Sequence, residues 1–455
     1  MVPAALRVVV VGTRALALAL VFFASRSASA QFDRSTPCHP LDARLLGAQA
    51  TLIGQNLRPF DAAYSGPMSL VNTGDHQLSQ SYGVYGGACV TTELAAYVDV
   101  EMIHGSGISH ASGVAAVTNG DVLRQGSVDL GTGPYIARAF VRWTIPLAST
   151  TRDTLVGGMD VMPAVVSSRR VEITAGKLAL TDLMDLNRYA NSTRSQFLDW
   201  VLFNNGAWDY AADTRGYTNG FAVAWIDAAW ALRAGSFQMP TFANGNRFDS
   251  DIANARGDNV ELTVDLPRSA VVRLLAYENH GRMGRYAVAT AIGRAQSMAP
   301  SIVADDAPGR IKYGFALNTE VPLADSAETG IFGRLGWNDG RTESFVFTEA
   351  DRHLSTGLQV AGRHWQRADD VVAGAVAIDG LSPDHRNYLA AGGRGFLLGD
   401  GALRYGHEIV TEAYYTATIR RGVYLSPDLI WLVHPGYNRD RGPALVWSAR
   451  FSVRY

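Results

Sequence analysis

The last eleven residues of the chain alternate between apolar and polar side chains with a period of two. Six apolar or aromatic side chains share one face: Leu445, Trp447, Ala449, Phe451, Val453 and Tyr455. The opposite face is mostly polar or charged: Val446, Ser448, Arg450, Ser452 and Arg454. A period of two is that of a β-strand. Outer-membrane strands show the same division, with the apolar face toward lipid and the polar face toward a wet lumen.

The same alternation recurs upstream, and charged side chains repeatedly occupy its polar face. Arg138, Arg142 and Arg334 stand there, and so do Asp99 and Glu412. An unpaired charge is very costly in an apolar core, whereas it stays hydrated inside a water-filled barrel. The pattern therefore predicts an all-β fold, a transmembrane antiparallel β-barrel.

Turns and loops between the strand-like segments fall into two length classes. Short turns are expected at 226–228, 266–268 and 420–422, and long polar loops at 187–218, 238–258, 298–309 and 338–353. This asymmetry is typical of short periplasmic turns and long extracellular loops. Sixteen strands would leave about 27 residues for each strand with its connection, and eighteen about 24. We expect an even number of strands near sixteen.

The first 30 residues have the features of an export signal. Arg7 and Arg14 flank its basic start, residues 15–24 are apolar, and Ala28-Ser29-Ala30 fits the rule for signal cleavage. We expect residues 1–30 to be removed, residues 31–60 to form an N-terminal periplasmic lead-in, and residues 61–455 to form the barrel domain. The predicted location is the bacterial outer membrane.

Composition excludes several classes of protein. The formal net charge is −2, and only 18% of residues are charged, so the chain lacks the basic surface of a nucleic-acid binder. The sequence has neither a Gly-x-Ser-x-Gly nucleophile motif nor a His-Glu-x-x-His zinc motif. We therefore expect no enzyme activity, no cofactor and no metal.

Cys38 and Cys89 are the only cysteines. In an oxidising compartment, a disulfide between them would close a loop of about 50 residues and contribute roughly 4 kcal/mol on a chain-entropy model. The sequence leaves open whether the two residues meet.

Residues 176–216 combine many charged residues with many aromatic ones. Such a loop could fold inward and narrow a lumen, where arginine and carboxylate groups would hydrogen-bond sugar hydroxyls in pairs. It could equally be an extracellular loop that packs on its own aromatic side chains, with its charges merely solvated. The residues alone do not decide between the two.

Several long motifs occur in one order along the chain. The most specific are TDLMDLNRYANSTRSQFLDW (181–200) and NNGAWDYAADTRGYTNG (204–220). Others are ARAFVR (137–142), LSPDHRNYLAAGGRGFLLGDG (381–401) and LSPDLIWLVHPGYNRDRGP (425–443). In these motifs the chain resembles the carbohydrate-selective porins of the OprB type, from about residue 48 to residue 455. The final residue is Tyr455 where the family usually has Phe, and the cysteine pair is not expected from the family pattern.

The resemblance implies a sixteen-stranded outer-membrane porin for passive diffusion of mono- and small oligosaccharides. It implies small sugars as permeants and contact with outer-membrane lipid and lipopolysaccharide, and it leaves monomer and homotrimer open. Charged residues within the matching motifs are the implied pore constriction: Arg138, Arg142, Asp182, Asp185, Arg188, Asp209, Asp213 and Arg215.

Three alternatives remain from the sequence. The first is a non-specific or anion-leaning porin on the same barrel, in which inward arginines act as an electric field rather than as sugar ligands. The second is a barrel-embedded lipid hydrolase, which the missing nucleophile motif disfavours. The third is a secreted β-sandwich binding module, which the arginine-bearing strand faces disfavour.

Overall fold

The structure, a computed structural model, describes residues 39–121 and 130–455. Within these residues, sixteen strands close into one antiparallel barrel. The predicted fold and strand number are therefore confirmed. A further pair of strands forms a small separate sheet.

The strands follow one another along the chain with few irregularities. The first half comprises β1 (Asp42–Leu57), β2 (Asp75–Cys89), β3 (Leu94–Gly105), β4 (Tyr135–Pro146), β5 (Arg152–Leu155), β6 (Ala164–Ser167), β7 (Arg170–Leu178), β8 (Thr218–Ile226) and β9 (Trp230–Gln238). The second half comprises β10 (Arg256–Asp265), β11 (Val271–Met283), β12 (Ala307–Ala324), β13 (Thr329–Asn338), β14 (Arg352–Ala361), β15 (Val371–Gly380), β16 (Glu408–Arg420), β17 (Val423–Val433) and β18 (Ala444–Arg454). Strands β5 and β6 form the small sheet, and β18 closes the barrel by pairing with β1.

The two faces of the barrel wall differ as the alternation predicts. Large apolar side chains such as Trp447, Trp431 and Phe315 point outward and are exposed on the protein. Arg450 and Arg334 point inward and are buried. The outer surface is therefore apolar, as contact with lipid requires, and the inside carries the polar and charged groups.

The two ends of the barrel differ in the length of their connections. At one end, here called the turn end, β8 and β9 are joined by three residues and β16 and β17 by two. At the other, the loop end, β7 and β8 are joined by residues 179–217 and β15 and β16 by residues 381–407. The first residue of β1 and the last residue of β18 both lie at the turn end. In outer-membrane barrels the end with short turns is the periplasmic one.

The expected boundary of the barrel at residue 61 is wrong, because β1 lies within the segment predicted to be a periplasmic lead-in. β1 pairs along its length with β2, but the register shifts between Leu45 and Gly47. A bulge of this kind inserts one extra residue into a strand. The bulge interrupts the alternation near the start of the strand. Further along, the inner face carries the apolar, buried Ile53 and Leu57, so the two faces differ little in the sequence.

Short helices are associated with the connections at the loop end. They are α1 (Trp200–Phe203), α2 (Tyr286–Ala295) and α3 (Pro383–Ala390). The rings of Tyr286 from α2 and His385 from α3 stack, with centroids 4.0 Å apart. The Ser382 hydroxyl caps α3 by accepting from the His385 amide at 3.1 Å. In the part of the chain that the structure describes, no helix combines the length and apolar character needed to cross a membrane.

Two predictions concern residues outside the described ranges. The export signal, residues 1–30, lies wholly outside them. Cys38 lies outside them too, and Cys89 is a buried residue at the end of β2. Signal cleavage and the Cys38–Cys89 disulfide therefore stay predictions.

Candidate pore constriction

Residues 179–217, here called the inward loop, fold into the barrel and reach its far wall. Arg334 of β13 lies 3.0 Å from the Asp185 carboxylate, and Lys312 of β12 lies 3.2 Å from that of Asp209. The Arg450 guanidinium of β18 donates to the Thr193 carbonyl at 2.6 Å. These contacts tie the loop to three separate strands across the barrel. Of the two conformations left open by the sequence, the loop adopts the inward one.

The loop also places its aromatic residues inside the barrel, where they form an apolar core. Trp200 packs against Phe347, with ring centroids 4.4 Å apart, and Phe197 packs edge-on against Tyr414 at 5.1 Å. All four rings are buried. Their burial gives the loop a hydrophobic anchor in addition to its ion pairs. Most of the loop's aromatic surface is therefore used for packing.

A cavity of about 430 Å³ remains between the inward loop and the wall formed by the first strands. Its lining includes Arg215, which stacks over Tyr135 at the loop end of β4, and Arg454, which lies at the turn end of β18. The cavity therefore extends along the barrel axis. Its charged side chains, among the described residues, are Glu101, Asp121, Arg138, Asp182, Arg194, Arg215 and Arg454.

Arg138 is the centre of one charged group at this cavity. Its Nε and Nη2 donate to the two oxygens of Asp182 at 2.6 and 2.9 Å. Its Nη1 donates to Asp99 at 3.3 Å, and its Nε lies 3.5 Å from Asp160. Bidentate pairing holds the planar guanidinium in one orientation. Arg142, also on β4, donates its Nη1 to the Asp160 carbonyl at 2.8 Å.

Arg194, on the inward loop, is the centre of a second charged group. Its Nε donates to Asp121 at 2.6 Å, and its Nη1 donates to Glu101 and to the Tyr85 hydroxyl, both at 2.8 Å. The Tyr217 hydroxyl donates to the second oxygen of Glu101 at 2.6 Å. Each charge in this group therefore has an opposite charge or a hydrogen-bonding partner beside it.

The structure brings three of the eight implied constriction residues to the cavity lining: Arg138, Asp182 and Arg215. Arg142 is outside the lining, and its guanidinium lies over the Tyr97 ring, 5.4 Å from the ring centroid. Asp185 and Asp209 are buried and anchor the inward loop instead of lining the cavity. Arg188 is exposed and outside the lining.

Asp213 shapes the turn that presents Arg215. Its carboxylate accepts from the backbone amides of Arg215 at 2.9 Å and Tyr217 at 3.1 Å. Burial raises the pKa of this carboxyl, while the two amides and Lys177 act in the opposite direction. Asp213 therefore positions an arginine of the cavity without lining it.

Sequence reasoning did not single out Glu101, Asp121, Arg194 or Arg454 as site residues. Glu101 and Arg454 lie on the polar faces of alternating strands. The pattern therefore predicts that they face the lumen, but it does not distinguish them from other polar residues on the same faces. Asp121 joins the site only because its loop reaches Arg194 across the lumen. No local signal reports a contact of this kind.

A Ser–His–Asp arrangement in the wall of the barrel is closed off from this cavity. His353 Nδ1 lies 2.8 Å from Asp379, and its Nε2 lies 3.0 Å from the Ser355 hydroxyl. All three side chains are buried beneath the inward loop, and none of them lines the cavity. The contact between His353 and Asp379 joins β14 to β15.

The family model of the OprB carbohydrate-selective porins matches residues 93–455. Among solved structures, the high-pH form of OprB from Pseudomonas putida is 12% identical, with 90% of this chain and 94% of that chain covered at a TM-score of 0.64. An anion-selective porin from Comamonas acidovorans is 8% identical, with 91% and 100% covered at a TM-score of 0.49. No curated protein sequence matches the chain. At these identities the structural matches concern the fold alone.

Proposed function

The chain belongs to the OprB family of carbohydrate-selective porins, and on this premise we propose that sugars cross the barrel through the cavity beside the inward loop. Its function is that of a carbohydrate porin. The family and the fold indicate a channel rather than an enzyme. The proposal concerns the path and the residues along it.

The observation that carries the proposal is the alternation of arginines and carboxylates around one cavity. Arg138 stands beside Asp182, and Arg194 stands between Glu101 and Asp121. Sugar hydroxyls both donate and accept, so such pairs can exchange hydrogen bonds with a passing ring. Conduction requires binding that is weak enough for release. Hydrogen bonds that compete with existing ion pairs satisfy this requirement.

The charge balance favours a sugar path over an anion-leaning one. Four arginines and three carboxylate side chains line the cavity in the described residues, and Arg138 has further acidic neighbours in Asp99 and Asp160. Paired charges largely cancel each other's field at a distance. A neutral permeant loses nothing by this cancellation, whereas an anion loses its attraction.

The family and the barrel point to the outer membrane. The proposal includes cleavage of the export signal after Ala30, small sugars as permeants, and contact of the apolar outer surface with lipid and lipopolysaccharide. A homotrimer is compatible with the fold. Light scattering of the detergent-extracted protein would measure its mass and so distinguish a monomer from a trimer.

The test is the single-channel conductance of purified protein in a planar bilayer, titrated with glucose and with a disaccharide. We expect a concentration-dependent block by sugar that weakens in Arg194→Ala. The matched control is Arg188→Ala, which removes an exposed arginine of the same loop outside the cavity lining. Steady conductance at every sugar concentration in the wild-type protein would overturn the proposed sugar path. Equal block in Arg194→Ala would overturn its placement.

A further inference from the structure

One connection at the turn end of the barrel differs from the others. Residues 147–169, here called the turn-end hairpin, join β4 to β7 and contain β5 and β6. The hairpin is 23 residues long, whereas the other connections at this end, all of them described, have two to nine residues. A turn of two to nine residues suffices to join adjacent strands. The extra length is therefore not needed for closure of the barrel.

The tip of the hairpin lies inside the lumen. The buried Met162 donates its amide to the Tyr97 hydroxyl of β3 at 3.1 Å. Asp160 accepts at its carbonyl from Arg142 and lies with its carboxylate beside Arg138. Met159, at the same tip, lines the cavity through which we route sugars and is 41% exposed.

The base of the hairpin is fixed as well. Arg170 of β7 lies 2.9 Å from the Asp153 carboxylate, which also accepts from the Ser168 hydroxyl at 2.9 Å. The Ser167 hydroxyl donates to the Leu147 carbonyl at 2.9 Å. With its base tied to β7 and its tip tied to β3 and β4, the hairpin stands as a fixed part of the lumen wall.

We propose that the turn-end hairpin is a second size-limiting element of the pore, and that Met159 at its tip is a specificity-determining residue for the permeant. This inference rests on the proposed sugar path. The inward loop narrows the cavity from the loop end, and the hairpin narrows it from the turn end. A permeant therefore passes Arg194 and Arg138 and then the hairpin tip.

Asp160 joins the tip to β4 through Arg142 and Arg138. Its carboxylate faces Arg138 and Arg142 together with two acidic neighbours, Asp99 and Asp182. Because Arg138 already pairs with Asp182, the hairpin tip and the inward loop contact the same guanidinium. The two narrowing elements are therefore joined at Arg138.

The experiment adds bulk at the tip. Met159→Trp is expected to lower the single-channel conductance and to reduce disaccharide flux into liposomes more than glucose flux. The matched control is Val156→Trp, because Val156 belongs to the same hairpin, is 64% exposed and does not line the cavity. Wild-type conductance and flux ratio in Met159→Trp would overturn the inference.

A second variant tests the opposite change. Replacing residues 150–166 by a short Gly-Ser turn is expected to raise conductance and to admit a larger oligosaccharide, with barrel assembly checked by heat-modifiable mobility. An assembled barrel with unchanged conductance and size limit overturns the inference. The sugar path and the role of the hairpin are tested by different measurements. Absence of sugar block in the wild-type protein would overturn the sugar path. The ion conductance of Met159→Trp is measured without sugar, so it tests the hairpin alone.

Discussion

Arg138 of β4 and Asp182 of the inward loop face each other as a bidentate pair, with Nε 2.6 Å from one carboxylate oxygen and Nη2 2.9 Å from the other. The pair joins a rigid strand to the loop that narrows the lumen. Asp160 reaches the same guanidinium from the opposite end of the barrel. The strand β4, the turn-end hairpin and the inward loop therefore meet at one side chain.

Arg138→Ala is expected to weaken sugar block and to shift ion selectivity toward cations. The substitution removes a donor at the cavity and leaves Asp182 and Asp99 without their positive partner. The reversal potential in a potassium chloride gradient measures the selectivity, and the sugar titration measures the block. Arg188→Ala is the control. An unchanged reversal potential in an assembled Arg138→Ala barrel would contradict the assignment.

Asp185→Ala is expected to release the inward loop while the barrel still assembles. Its partner Arg334 is fully buried, and loss of one member of such a pair typically costs about 3–5 kcal/mol. Freed from β13, the loop should give larger and noisier single-channel currents. The double variant Asp185→Leu with Arg334→Met removes both charges and should restore steady currents. If the single variant conducts as steadily as wild type, the anchoring role is wrong.

Glu343→Gln is expected to stabilise the folded protein at pH 8 and to leave its stability unchanged near pH 4. Burial raises the pKa of Glu343 to about 7, against an ordinary value near 4.5. The folded state therefore favours the protonated carboxyl, and its stability falls as the pH rises from 4.5 through 7. Glutamine keeps an acceptor for the Gly284 amide and carries no charge.

The midpoint temperature of the heat-modifiable transition measures this effect. It should rise in Glu343→Gln at pH 8 and match the wild-type value at pH 4. Glu328→Gln, on a largely exposed carboxylate at the turn end, serves as the control. A midpoint that rises equally at both pH values would show that removal of the charge is not the cause.

The disulfide predicted from the sequence gives a direct chemical test. If Cys38 and Cys89 are joined, denatured protein should take up no maleimide before reduction and two equivalents after it. The bridge would contribute roughly 4 kcal/mol on the chain-entropy model, so Cys89→Ser should lower the unfolding midpoint without altering conductance. Uptake of maleimide by unreduced, denatured protein would exclude the disulfide.

A comparison of β18 with β1 shows which strands can be predicted from the sequence alone. The alternation of β18 placed Trp447 outside and Arg450 inside, and the structure confirms both. In β1 a bulge between Leu45 and Gly47 and the apolar inner residues Ile53 and Leu57 hide the same pattern, so the sequence does not predict this strand. A period of two is a local property, so it can be read from the sequence where the backbone keeps its regular pleat and the inner face is polar.

The conformation of the inward loop depends on tertiary contacts. Its charges and aromatics were visible in the sequence, yet Asp182 reached the cavity while Asp185 and Asp209 became buried anchors. The two buried carboxylates meet Arg334 and Lys312, which lie on strands more than a hundred residues further along the chain. The sequence by itself determined the barrel and its two faces, because these follow from local periodicity, whereas it left the strand number at an even value near sixteen. The path through the lumen depends on contacts between distant segments, and only the tertiary structure supplies them.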